Sequence, residues 1–132
     1  VIYLDSSAFL NAFLGAGKKG ETARDLLDRV QKGEPAATSA LTYDEVFWAV
    51  KKHRQFESAL LASKAILETP NLTILPVDVE VLWMAHSLSE KYKIDPRDAI
   101  HAACALMNGI RTIVSEDSDF DRVREIERRG LV

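Results

Sequence analysis

At 132 residues, with 47% hydrophobic and 28% charged side chains, the chain has the size and composition of one globular domain, 1–132, that buries a core without disulfides. Its formal charge of -3, from 20 acidic against 17 basic residues, excludes the global basic character of a protein that coats nucleic acid. No apolar run is long enough to span a bilayer, the start VIYLDSSAF lacks the basic flank and cleavage site of a signal peptide, and the one cysteine has no internal partner, so a cytoplasmic protein is expected.

Short apolar runs alternate with longer amphipathic segments, the pattern of strands and helices around a parallel sheet. VIYL predicts a strand over 1–4, and a helix follows over 6–14, with Asp5 between them. Gly15, Gly17 and Gly20 mark a loop carrying Lys18 and Lys19, before a helix over 21–31 that Gly33 and Pro35 close. AATS predicts a strand over 36–39, followed by helices over 42–54 and 57–68. Beyond Pro70, LTILP predicts a strand over 72–76, then helices over 79–91 and 96–108, the second opened by Pro96 and carrying Cys104 as a core thiol. RTIVS predicts a strand over 111–115, and a short closing strand is placed near Leu131. The expected fold is α/β, a three-layer sandwich in which a small parallel sheet is flanked by helices on both faces. In such sheets ligands bind beyond the carboxyl ends of the strands.

The acids at that edge each have a structural explanation. Asp5 caps the helix that follows it. Thr42 and Glu45 read as a T-x-x-E capping box, although Leu41, Trp48 and Ala49 around Glu45 are apolar and Tyr43, Val46, Phe47 and Val50 make a second apolar face, so that the helix reads as buried on two sides. A glutamate between two buried faces needs a partner. Asp98 lies third in a helix whose N-cap is Asp95, where the helix dipole favours an acid. In SEDSDFD, the spacing of Asp117, Asp119 and Asp121 resembles the start of a calcium loop, but Arg122 and Arg128 stand where that loop needs glycine and glutamate. None of these explanations accounts for the shared location. Asp5, Asp117 and Asp119 follow predicted strands, while Glu45 and Asp98 open helices entered from the same edge. Converging carboxylates repel unless a cation intervenes, and Mg²⁺ or Mn²⁺ suits them.

YLDSSAFLNAFL, TSALTYDEVFWAV, IDPRDAIHAACALMNG and TIVSEDSDFDRV, in that order over essentially the whole chain, resemble the motifs of the PIN-domain family, especially the toxin ribonucleases of VapBC toxin-antitoxin pairs. The resemblance implies a metal-dependent endoribonuclease. It places Asp5, Asp98 and Asp117 on one or two Mg²⁺ or Mn²⁺ ions, with Glu45 a further ligand or the group that orients the attacking water. Asp119 is the second choice to Asp117, and Ser115 a hydrogen-bonding support. Arg97 is the favoured RNA contact among basic residues that include Lys18, Lys19, Lys51, Lys52, His53 and Arg54. The resemblance further implies a homodimer and a small antitoxin partner. Phe47, Trp48, Phe56 and Trp83 could build such surfaces, although aromatic residues at helical spacing are more often core. His101, one turn after Asp98, could support the site, although a histidine among alanines is more often a core or interface residue.

Two rival enzyme classes fail on particular positions. A dehalogenase-like phosphatase using Asp5 as nucleophile needs an acid two residues on, where Ser7 stands; a receiver-type phosphoacceptor needs a lysine where Ser115 and Glu116 stand. The non-enzymatic alternative is a PIN-like RNA-binding or assembly module, which loss of a central acid would favour; all four are present.

Overall fold

The structure, a computed structural model, describes residues 1–132. Five strands, β1 (Ile2–Leu4), β2 (Ala36–Ser39), β3 (Leu72–Leu75), β4 (Thr112–Val114) and β5 (Glu127–Arg129), form one sheet in the order β3-β2-β1-β4-β5. Every pairing is parallel, with Tyr3 opposite Ala37 on one side and Ile113 on the other. Six helices connect them: α1 (Ser6–Leu14), α2 (Gly17–Gln31), α3 (Ala40–His53), α4 (Phe56–Glu68), α5 (Val79–Tyr92) and α6 (Pro96–Met107). A 3-10 turn over Ser118–Arg122 precedes β5. The expected α/β sandwich is therefore the observed one.

Strand pleating divides the core. Successive side chains of β1 point to opposite faces, so Tyr3 packs with Ala85, Leu88 and Ala102 of α5 and α6, while Leu4 packs with Phe9, Leu27, Val46 and Ile66 of α1 to α4. Helix α6 lies close to the sheet because its inward residues, Ala99, Ala102, Ala103, Cys104 and Ala105, are small and fully buried. Cys104 is the core thiol expected, and burial pushes it up to about 11, which keeps it protonated and unreactive.

The chain fills the sheet from β1 through β2 to β3, then crosses back to place β4 on the other side of β1. The reversal between β1 and β4 opens a crevice at their carboxyl ends, where Asp5 and Ser115 follow the two strands.

Several boundaries differ from the sequence expectation for definable reasons. Helix α2 starts at Gly17 rather than 21, and Gly20 within it packs directly on the preceding turn, where a Cβ would lie 2.4 Å from the Gly15 carbonyl oxygen, so this glycine serves packing rather than a loop. The closing strand is Glu127–Arg129, upstream of Leu131; its charged residues form an edge strand against β4. Helix α3 starts at Ala40, so Thr42 and Glu45 make no capping box. Thr42 is instead buried, its hydroxyl 2.7 Å from that of Thr38, which donates to the Leu4 carbonyl at 2.6 Å and ties β1, β2 and α3 together. Nor are the aromatic residues mainly core: Trp48 is 61% exposed, Phe56 50% and Trp83 70%, so α3 is open on its Trp48 side.

Candidate metal centre

Asp5 is nearly fully buried at the end of β1. One carboxylate oxygen, Oδ1, accepts from the Ser7 backbone N–H at 2.9 Å, the cap expected for α1, and from the Ser7 hydroxyl at 2.6 Å. The other accepts from the Ser115 hydroxyl at 2.5 Å. Both serines are in turn acceptors for the loop after β4: Ser7 Oγ takes the Glu116 N–H at 3.0 Å, and Ser115 Oγ takes the Asp117 N–H at 2.9 Å. Asp5 thus organises the turn that presents Asp117. Burial raises its proton affinity, and the two serine hydroxyls work against that rise.

Asp98 lies in the first turn of α6, a half-buried position where the helix dipole favours an anion. Burial and the neighbouring carboxylates of Asp117 and Asp119 outweigh that preference and lift it from 3.8 to about 7. Carboxylate oxygens of Asp98, Asp117 and Asp119 all lie within 4.8 Å of one another. Asp117 holds Asp119 in place by accepting its N–H at 2.9 Å. Arg122 approaches Asp119 only to 3.9 Å, and Asp121 turns to Arg128 at 3.0 Å. Asp5 and Glu45 stand outside the three-acid group, each fixed by hydrogen bonds.

Glu45, on α3, accepts at 2.5 Å from His101 Nε2 of α6. The other ring nitrogen, Nδ1, is 2.6 Å from the Tyr3 hydroxyl. All of this chain is shielded: Tyr3 and His101 are buried, and burial raises the tyrosine's pKa, so it remains a neutral donor. With Tyr3 donating to Nδ1, Nε2 carries the proton that is donated to Glu45. His101 is buried, and its bond to Glu45 puts it beside the site, where its spacing one turn after Asp98 suggests a support. The role of Ser7 escaped sequence reasoning; the available signal was the second serine of DSS.

Glu45, Asp98 and Asp117 open onto a cleft of about 530 Å³ lined also by Asp95, Pro96 and Arg97. Arg97 stands exposed at its rim. Lys19 is engaged by Glu116 at 3.0 Å; Lys51 and Lys52 line an adjoining cleft that shares Glu45 and Arg97.

Residues 2–126 match the model of the PIN domain. The chain belongs to the PIN-domain family. Among solved structures, this PIN domain is similar to the sarcin-ricin-loop-cleaving toxin VapC20 of Mycobacterium tuberculosis (18% identity over 94% of this chain and 95% of that one, TM-score 0.80). It is also similar to chains of the DNA-bound VapBC complex of Salmonella typhimurium (17%, 99% and 98%, TM-score 0.78) and of VapBC2 from Rickettsia felis bound to a promoter DNA fragment (18%, 98% and 98%, TM-score 0.77). At these identities the likeness establishes the shared fold. No curated protein matches the chain. No helix of this PIN domain is long and apolar enough to cross a membrane.

Proposed function

We propose that this PIN domain is a divalent-metal-dependent endoribonuclease that hydrolyses RNA phosphodiester bonds, and that it is the toxin of a VapBC-type toxin-antitoxin pair. The observation that carries the reading is the meeting of Asp98, Asp117 and Asp119 within 4.8 Å, with Asp98 lifted to about 7 by burial and by its acidic neighbours. Such a set fits Mg²⁺ or Mn²⁺: all the donors are hard carboxylate oxygens, and they repel one another when no cation is bound. Asp5 has three of about four acceptor sites engaged, which leaves roughly one for an ion.

In this reading Asp5, Asp98 and Asp117 hold one or two ions, with Asp119 as an additional ligand. When bound, the metal polarises a phosphoryl oxygen and makes a water more acidic. Glu45, fixed through one oxygen by His101, orients the attacking water with the other. Ser115 holds Asp5 and the Asp117 turn in mutual register, and Arg97 at the rim attracts the anionic backbone. The VapBC complexes among the similar structures support an antitoxin partner. The whole chain, 1–132, is taken as a single nuclease domain that acts as a homodimer in the cytoplasm.

The test is cleavage of a pooled tRNA and rRNA mixture with Mg²⁺, Mn²⁺ or EDTA, by wild type and Asp98→Asn. Discrete fragments that require metal and disappear in the variant are expected. Absence of cleavage by wild type under every condition, with metal still raising its melting temperature, would replace the enzyme by a metal-binding RNA-recognition or assembly module.

A further inference from the structure

We propose that Trp48 is a stacking platform for an unpaired RNA base, set beside the acidic cleft so that the nucleotide next to the scissile phosphate is gripped before cleavage. The placement relative to a scissile phosphate rests on the nuclease reading above; the base-binding role does not.

Trp48 lies on α3 one helical turn beyond Glu45 and is 61% exposed. It lines a cleft of about 550 Å³ together with Leu10, Asp44, Glu45, Lys51, Lys52 and Arg97, among others. Glu45 and Arg97 also line the acidic cleft, so the two spaces are continuous along one edge of the molecule. One is built for a cation. The other offers a large aromatic surface among three cationic side chains that outnumber the two acids, Asp44 and Glu45, with Lys51 Nζ 4.7 Å from the indole centroid. That combination matches the two needs of single-stranded nucleic acid: a π-surface for a base and positive charge for the phosphates on either side.

Charge separates this surface from the exposed aromatic patch on α5. Trp83 lies with Val79, Leu82 and His86 on α5, in a shallow patch whose lining includes no Lys or Arg. An apolar protein surface would suit the patch at Trp83; the cations around Trp48 favour a polyanion. A duplex keeps its bases stacked on one another, so a platform of this kind selects unpaired segments such as loops.

The proposal is tested by binding in EDTA, where the read-out is independent of metal-assisted cleavage. The probe is a fluorescein-labelled single-stranded oligoribonucleotide, titrated at low salt and followed by anisotropy, with an otherwise identical strand carrying one abasic sugar. Trp48→Ala is expected to weaken binding roughly five- to hundred-fold, and Trp48→Phe to keep most of it. In a Trp83→Phe background, bound RNA should quench the remaining tryptophan emission. The abasic strand should lose affinity against wild type but little further against Trp48→Ala, since both changes remove the same stack. Unchanged affinity in Trp48→Ala, equal binding of a duplex, or no binding by wild type would overturn the proposal and leave the cationic cleft to an acidic protein segment. Metal-dependent cleavage that is indifferent to Trp48 would sink the platform while the nuclease stands; Trp48-dependent binding without cleavage would do the reverse.

Discussion

His101 Nε2 lies 2.5 Å from Glu45 Oε1, joining α6 to α3 across 56 residues of sequence, while its Nδ1 meets the Tyr3 hydroxyl of β1. The three elements that carry Asp5, Glu45 and Asp98 are thus linked by one buried hydrogen-bonded chain. Removing its middle member leaves the Tyr3 hydroxyl without a partner, frees Glu45 and opens a cavity. His101→Ala should therefore cost roughly 2–4 kcal/mol of stability, and Tyr3→Phe about 1–2 kcal/mol. Urea unfolding checks both values. A double variant should show coupling, because the second substitution removes a bond the first has already broken; strict additivity would mean that the chain does not act as a unit.

Asp98 predicts a pH dependence with a definite sign. Its folded-state value is about 7 against an ordinary 3.8, so across that window the native protein retains a proton that the unfolded chain releases. Stability therefore falls as pH rises from about 3.8 to about 7, the direction opposite to that of a salt-bridged carboxylate. In EDTA, wild type should lose stability relative to Asp98→Asn across that range. Above it, added Mg²⁺ should stabilise wild type and have little effect on the variant, because an ion that binds only the native state stabilises it by mass action. Parallel pH profiles for the two proteins would show that Asp98 titrates as an ordinary exposed acid.

The legible parts of the fold are those where local signals and tertiary structure agree. VIYL followed by Asp, and Pro96 followed by an alanine-rich stretch, announce a strand end and a helix start from residues that also occupy those places in the core. Local reading failed where a distant residue decides. Thr42 and Glu45 fit a capping box in isolation, but Thr38 and His101 claim them across the fold. Strand β5 has no apolar run because it is an edge with charged residues, and only its pairing with β4 defines it. The same limit applies to the site: the sequence marks candidate acids, and Ser115 as a hydrogen-bonding support, but not which three acids meet within 4.8 Å, nor that Ser7 joins Ser115 on Asp5.

Ser115 is fully buried and serves two partners with one hydroxyl, donating to Asp5 and accepting from the Asp117 backbone. Ser115→Ala removes both bonds without adding bulk. It should cost about 1–3 kcal/mol in stability and, by loosening the Asp117 turn, weaken Mn²⁺ binding roughly 10- to 100-fold. Titration of Mn²⁺ by electron paramagnetic resonance measures the second effect directly. Ser115→Thr, which keeps the hydroxyl, should recover metal affinity if its methyl is accommodated; an alanine variant that binds Mn²⁺ as tightly as wild type would reduce Ser115 to a packing residue.

Asp117 and Asp119 are separated by one residue, and their environments predict different roles. Asp117 lines the cleft with Asp98 and Glu45, and its turn is anchored through Ser115 to Asp5. Asp119 belongs to the same three-acid group but has Arg122 at 3.9 Å, and only its backbone N–H is held, by Asp117. A carboxylate anchored by its neighbours loses little freedom when it takes a ligand, whereas one beside a cation must share its charge. Asp117→Asn is therefore expected to lower RNA cleavage by about a hundredfold or more, and Asp119→Asn by about tenfold, with metal affinity falling in the same order. Arg122→Ala, which removes the cation 3.9 Å from Asp119, should tighten Mn²⁺ binding modestly in wild type and have no such effect in Asp119→Asn. If Asp119→Asn proves the more damaging of the two acid variants, Asp119 takes the place of Asp117 as the principal ligand.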